Sequence, residues 1–399
     1  MIKNYLKIKF NIIYPAFSLI MLVALISCSE KKNRRIVIKP QAVIKEEESP
    51  VVQNIVHSEK TNIVDSFFTA ISSKNDFNGT VLVTVKDQII YKKAFGYANF
   101  RTKDTLTENS IFQLASVSKQ FTAVSIMMLQ EQGLLSYSDD VTKFFPNFPY
   151  KGITVKLLLS HRSGLPNYMY FCDEFYKNKS VALTNMGMLD IMIKNKPPEY
   201  FPPDKKFNYC NTNYCLLAAI VEKVSKVTFS EFVTNNIFKP IGMHYSFIGN
   251  QDSAKYAQYV ASGHDESNKP IKWDYMDGIL GDKGVFSCVN DLNKWDLALY
   301  SGKIIKESTL AEAMKPANSD MIGSRNYGFG WRIKYLADHT PLYYHGGWWK
   351  GYNTYFMRNP IDHSSIIILS NKVNWSFNSI TSFIPRFYNQ KPIKEIETI

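Results

Sequence analysis

Ser116 and Lys119 stand three residues apart in the run Ser116-Val117-Ser118-Lys119. On a helix that spacing puts both side chains on one face. A serine at the start of such a helix sits where backbone N–H groups point outward and favour developing negative charge. A buried lysine amine beside it can take the hydroxyl proton or relay it. The spacing is weak by itself: Ser29-Glu30-Lys31-Lys32 repeats it, and a serine often only caps a helix. Tyr209-Cys210-Asn211 adds a phenol able to act as general base, or to share that role with Lys119, and an amide able to orient the lysine and a substrate carbonyl. Tyr97-Ala98-Asn99 and Tyr176-Lys177-Asn178 share that pattern, but only Tyr209 lies between a turn, Pro202-Pro203-Asp204, and a new helix near Tyr214 to Val221. In His345-Gly346-Gly347-Trp348 the glycines let the backbone come close to a ligand. An edge strand there could pair with a substrate backbone. The N–H groups of Trp348 and Ser116 would then form an anion trap, in which each donor is worth roughly 3–4 kcal/mol of barrier.

Taken together and in order, Ser-x-x-Lys, Tyr-x-Asn and a basic residue followed by x-Gly resemble the motif set of the penicillin-binding protein and serine β-lactamase superfamily. Tyr209 follows Ser116 by 93 residues and His345 follows Tyr209 by 136, similar to the class C-like branch of β-lactamase-related serine hydrolases. Phe112-Gln113-Leu114-Ala115, the stretch Leu157 to Leu165, Pro240-Ile241-Gly242-Met243 and the stretch Gly281 to Ser287 look like the same branch. The likeness runs over about residues 61–388. It implies an α+β fold: an antiparallel sheet flanked by helices, with an inserted, mostly helical domain and the site between them. It implies an acyl-enzyme on Ser116, activation by Lys119 and Tyr209, and substrate contacts from Asn211, His345 and Gly347. The oxyanion hole would be the backbone of Ser116 and Trp348, and no metal and no cofactor is implied. The substrate class is a small acyl or peptidyl compound with an ester, amide or D-amino peptide bond. A working class C-like β-lactamase is one alternative, and a non-catalytic lipoprotein that binds peptidoglycan or a partner is another.

Three departures bear on that choice. The third motif begins with His345 rather than Lys, and a neutral imidazole grips a carboxylate less firmly than an ammonium. Trp348 and Trp349 crowd a strand where small residues are usual in true β-lactamases. Thr212 replaces an Asn found in some relatives. The first two shift weight from β-lactam resistance toward esterases and D-amino-acid peptidases. His161 could serve a Ser-His-Asp triad, but no G-x-S-x-G elbow occurs, so it is expected to be a structural turn histidine. Asp282 could line the site, but it is expected to be a solvated acid in a glycine-rich turn.

The elements that must position these groups come from both ends of the chain. Ile63, Val64, Phe67, Phe68 and Ile71 recur at helical spacing in a body expected to begin near Thr61. Thr80–Val85 and Ile89–Phe95 read as strands joined through Lys86-Asp87-Gln88, and Tyr352–Arg358 and Ile366–Ser370 read as strands split by a turn at Asn359 to Asp362. A last helix is expected near Ser376–Tyr388. Ser116 to Gln132, stopped by Gly133, is apolar on most faces and predicts a buried helix. The expected organisation is therefore one α/β part, 61–113 with about 271–390, around a helical part at about 114–270.

Ahead of that body, Lys3, Lys7 and Lys9 precede an apolar run, Ile12 to Ile26, too short for a comfortable membrane span. It ends Leu25-Ile26-Ser27-Cys28, which resembles the lipobox of bacterial lipoproteins. Residues 1–27 are thus expected to be a signal peptide, with Cys28 the lipidated anchor of an exported, envelope-located protein. Residues 28–60, rich in Lys, Arg and Glu and without aromatics, are expected to be a disordered tether. Cys172, Cys210, Cys215 and Cys288 remain, with no CxxC, and are expected to be buried thiols. The net charge of +12 suits an anionic membrane surface. No zinc-finger spacing, RNA-binding aromatic signature or dense basic helix is present, so nucleic acid is not an expected partner.

Overall fold

Strands from the two ends of the chain build one seven-stranded sheet, in a computed structural model that describes residues 58–74, 76–249, 253–318, 325–373 and 377–389. The expected signal peptide, Cys28 and nearly all of the expected tether lie outside those residues. Helix α1 (Glu59–Ser73) opens with a capping box in which Ser58 accepts from the Thr61 N–H, so the body begins three residues earlier than the sequence suggested. Strands β1 (Gly79–Val85) and β2 (Gln88–Phe95) follow as a hairpin. Lys86 and Asp87 both take positive φ at its tip, the two-residue turn whose twist matches the strands. β3 (Tyr97–Asn99) pairs with β4 (Asp104–Thr105) in a small ribbon.

β5 (Phe112–Gln113) leads into a 3-10 turn, Ala115–Ser118, and then into α2 (Lys119–Glu131). The single helix expected from Ser116 is therefore two pieces. Leu114 is held at both ends, its N–H donating to Val285 O at 2.8 Å and its carbonyl accepting from the Thr354 hydroxyl at 2.6 Å. Ala115 then turns through φ +48°, and the tight turn forms before the α-helix can start. From Lys119 to Leu129 every side chain of α2 is buried.

The middle of the chain supplies α3 (Val155–Leu159), α4 (Tyr168–Phe175), α5 (Asn185–Asn195), α6 (Asn211–Ser225) and α7 (Phe229–Val233). Helix α6 starts three residues before the expected Tyr214 and is buried from Thr212 to Val221. After β6 (Phe247–Ile248) and the short α8 (Ser253–Tyr256), β7 (Val285–Ser287) joins β5 and β6 in a three-stranded sheet ordered β5-β7-β6. α9 (Val289–Tyr300) and α10 (Glu307–Ala313) lead to β8 (Arg325–Tyr327), β9 (Arg332–Tyr335), β10 (Pro341–Trp349), β11 (Tyr352–Asn359) and β12 (Ser364–Ser370), and α11 (Phe377–Phe387) ends the described chain.

The large sheet is antiparallel throughout, ordered β2-β1-β12-β11-β10-β9-β8, with Gly79 opposite Ser370 and Gly347 opposite Thr354. β12 shows why it is central. Its apolar run points Ile366 and Ile368 into a core under α1 and α11, and Ile367 and Leu369 into the core shared with the helical part. A strand buried on both faces cannot alternate apolar with polar, and this one does not. Among the described residues no helix is long and apolar enough to cross a membrane.

Candidate active site

The start of α2 brings Lys119 under the 3-10 turn, and α6 brings Asn211 to meet it. Lys119 is fully buried, and its Nζ lies 3.0 Å from Ser116 Oγ, 2.9 Å from Asn211 Oδ1 and 2.8 Å from the carbonyl oxygen of Asp282. The last two can only accept. Two N–H groups of the amine are therefore spent on them, and its third position faces the serine hydroxyl. Asn211 is the first residue of α6, so its side chain projects beyond the helix end. Its Nδ2 points at Met169 Sδ, 3.7 Å away. Thr212, next to it, accepts from the Tyr168 N–H and donates to Pro166 O, both at 2.7 Å. The threonine thus ties the start of α6 to the loop before α4.

Tyr209 is half-buried. Its ring lies 4.4 Å from the His161 ring, 5.0 Å from Lys119 Nζ and 4.9 Å from the Arg332 guanidinium, centroid distances throughout. Its hydroxyl has no hydrogen-bond partner among the described residues and is not bonded to Ser116. The phenol is therefore placed against the lysine rather than on the serine.

Strand β10 closes the other side. Gly347 abuts the 3-10 turn: a Cβ there would fall 2.3 Å from both Leu114 O and Thr354 Oγ1, and 3.0 Å from the Ala115 methyl. Only glycine lets the strand come this near. Pairing of β10 with β9 ends at Tyr344 opposite Arg332, while pairing with β11 continues to Trp349. From His345 to Trp349 one edge of β10 is therefore unpaired, as a strand-adding substrate requires. The Trp348 side chain is 65% exposed, so it stands away from the core. Trp349 packs inward, its Nε1 donating to Asp277 Oδ1 at 2.6 Å.

His345 is 1% exposed. Its Nδ1 lies 2.7 Å from Gly346 O and its Nε2 3.1 Å from the Tyr327 hydroxyl. A carbonyl only accepts, so Nδ1 carries the proton and Nε2 accepts from Tyr327. Burial, then Arg332 and Lys119, hold its pKa well below the usual histidine value. The residue expected to contact substrate is thus a neutral, buried imidazole engaged with its own strand and Tyr327. This wall also carries the half-buried Arg332, which no motif signalled. Its guanidinium stacks on Tyr209 and Tyr327, and among the described residues no carboxylate pairs with it.

Two other expectations resolve differently. His161 is buried with Nδ1 3.2 Å from the Cys210 N–H, which fixes the residue before Asn211; burial, with Lys119, His345 and Arg332, holds it well below the usual range. It is a turn histidine as expected, at φ +57°, but not a fully satisfied one: Nε2 is buried without a hydrogen-bond partner among the described residues. Asp282 is not solvated. It is 2% exposed, accepts from the Tyr168 hydroxyl at 3.0 Å, and lies 3.6 Å from the buried Lys283 amine. Its glycine-rich turn folds inward because Gly281, at φ +100°, passes against Tyr214 O and the Ala218 methyl, and this delivers the Asp282 carbonyl to Lys119. Cys172, Cys210, Cys215 and Cys288 are buried free thiols. Among the described residues no group of three or more His, Cys, Asp or Glu could hold a metal ion.

The β-lactamase family model matches residues 64–382. Penicillin-binding protein 4* of Bacillus subtilis is 36% identical over 328 residues, 78% of this chain and 72% of that protein. The octameric penicillin-binding protein homologue of Pyrococcus abyssi superposes with a TM-score of 0.73 at 26% identity, covering 85% of this chain and 79% of that one. The D-amino acid amidase of Ochrobactrum anthropi shares the fold, with a TM-score of 0.68 at 21% identity over 83% of this chain and 98% of that one. The chain belongs to the β-lactamase family and is a serine hydrolase of the penicillin-binding protein and serine β-lactamase superfamily.

Proposed function

We propose that Ser116 is the acylated nucleophile of an envelope enzyme that hydrolyses ester, amide or D-amino peptide bonds. The observation that carries this is the hold on Lys119: two fixed acceptors take its N–H groups and leave its remaining position on Ser116 Oγ at 3.0 Å. Ser116 Oγ attacks the substrate carbonyl while its proton passes to the Lys119 amine, with the Tyr209 phenol alongside to carry it on to the leaving group. The N–H groups of Ser116 and Trp348 receive the oxyanion. A water molecule then attacks the acyl carbon and restores the serine.

The free edge of β10 suits an extended acyl chain, and Arg332 suits a substrate carboxylate, since a guanidinium binds that group in bidentate fashion. The buried, neutral His345 and the indoles of Trp348 and Trp349 favour esters and D-amino amides over β-lactams. The D-amino acid amidase of Ochrobactrum anthropi, which shares the fold, points the same way. Envelope location and a lipid anchor at Cys28 belong to this proposal and rest on the signal-like first 28 residues.

A fluorophosphonate probe should label the protein, and Ser116→Ala should abolish labelling; equal labelling of the variant would remove Ser116 from the role. Intact mass spectrometry after exposure to p-nitrophenyl esters, D-alanyl amides and nitrocefin should show a single acyl adduct, with esters or amides turned over fastest. Cys28→Ser should move the protein out of the membrane fraction.

A further inference from the structure

The Tyr209 phenol has no anchor of its own among the described residues. Its place rests on the backbone to either side and on the groups packed against its ring, and His161 engages both. The His161 carbonyl oxygen accepts from the Asn208 N–H at 2.8 Å, and His161 Nδ1 accepts from the Cys210 N–H at 3.2 Å. One residue thus grips the chain immediately before and immediately after Tyr209. Its ring also packs on the Tyr209 ring, 4.4 Å between centroids and tilted by 40°. The Asn213 amide steadies the imidazole from α6. Asn213 Oδ1 accepts from the Ser163 hydroxyl at 2.6 Å, which turns Nδ2 toward His161 Nδ1, 3.3 Å away. Both groups facing Nδ1 only donate, so Nδ1 accepts and the neutral ring carries its proton on Nε2. Two features set this histidine apart from a satisfied turn residue. It stands in the left-handed region, which glycine and asparagine adopt more readily, and its buried Nε2–H meets no acceptor among the described residues. Strain of that kind persists where the surroundings enforce it, and it gathers at functional sites. With no partner at Nε2 the ring hands no proton on; what it contributes is an acceptor and a packing face.

We propose, on the Ser116–Lys119–Tyr209 mechanism, that His161 is a positioning residue for Tyr209, holding the phenol where it passes the serine proton to the leaving group. Ser116 and Lys119 are placed by other contacts: the clamp on Leu114, the Asn211 amide and the Asp282 carbonyl. Asn211 in turn sits at a helix start that Thr212 ties down independently. Loosening Tyr209 therefore spares attack by the serine and penalises departure of the leaving group. His161 matters in proportion to how much that group needs a proton. A p-nitrophenolate leaves unprotonated, whereas an alkoxide or an amine does not.

The test compares kcat/KM, which reads acylation, for a p-nitrophenyl ester and an alkyl ester of the same acid. His161→Leu fills the space without an acceptor. It should lower kcat/KM for the alkyl ester by about 10–10²-fold, the effect of misplacing a group at the reacting centre. The p-nitrophenyl ester and the rate of fluorophosphonate labelling at Ser116 should each change less than about threefold, since neither needs the leaving group protonated. His161→Asn keeps an acceptor near the place of Nδ1 and suits the left-handed turn; it should return the ratio of the two esters toward that of the parent. Where His161→Leu does not fold by circular dichroism, His161→Gln, whose acceptor lies one bond further out, takes its place with the same expectation. Tyr209→Phe checks the mechanism separately: if it lowers both esters alike, the mechanism fails and the role of His161 with it. If Tyr209→Phe discriminates between the esters but His161→Leu lowers both equally or leaves both unchanged, or His161→Asn does not restore the ratio, the positioning role alone is overturned.

Discussion

In the proposed mechanism Lys119 takes the serine proton, and its partners predict how its loss should look. Lys119→Ala removes the proton acceptor yet leaves Ser116 held by its own turn. Ester turnover should fall by about 10²–10⁴, the range of a lost general base, while the protein keeps its native circular dichroism; a loss under tenfold would assign the proton to another group. Arg332 makes a separable prediction. Arg332→Gln should lower kcat/KM for substrates bearing a free carboxylate by roughly tenfold to a hundredfold, the worth of a charge-assisted hydrogen bond. Activity on matched neutral esters should change much less. If both substrates lose equally, the guanidinium serves Tyr209 rather than the substrate.

At the scale of elements, the two glycines of β10 do different jobs that the motif alone does not separate. A Cβ on Gly347 collides with Leu114 O and Thr354 Oγ1, whereas one on Gly346 meets nothing nearer than 3.8 Å. Gly347→Ala should therefore push the strand off the 3-10 turn and cost about 10²–10³ in kcat, as losing an oxyanion donor does. Gly346→Ala should stay within a fewfold of the parent, and parallel assays of the pair decide the point. The same strand marks where the sequence ceased to be readable. β1, β2, β11 and β12 announce themselves by β-branched runs between turn residues, and α2 by its apolar length. Of β10 only an edge strand around His345-Gly346-Gly347-Trp348 was expected, and β8 and β9 are too short to show a period. Ser116, Lys119, Tyr209 and Asn211 were legible because their chemistry rests in side-chain types at fixed spacing. The Asp282 carbonyl and Arg332 were not, since any residue has a carbonyl and the place of Arg332 comes from strand register.

Over the whole molecule, buried titratable groups set how stability answers to pH. His161 and His345 stay neutral when folded but titrate near about 6.5 in the unfolded chain. As pH falls through that value the unfolded state binds protons that the native state refuses, and stability drops by up to about 1.4 kcal/mol per pH unit for each histidine. Asp296, raised to about 6, works oppositely: below that pH the native state holds a proton its unfolded form does not yet bind, which returns part of the loss. Urea unfolding between about pH 8 and 5 should thus show its steepest decline just below about 6.5, and His345→Asn should flatten that slope. The sheet carries another consequence, this one in time. β1 pairs with β12, and the turn bearing Ser116 is clamped by Val285 and Thr354. Both of these long-range clamps are synthesised long after Ser116 itself. On the proposed mechanism a growing chain would carry a serine whose turn is not yet pinned, and its full positioning would come only with the closing strands.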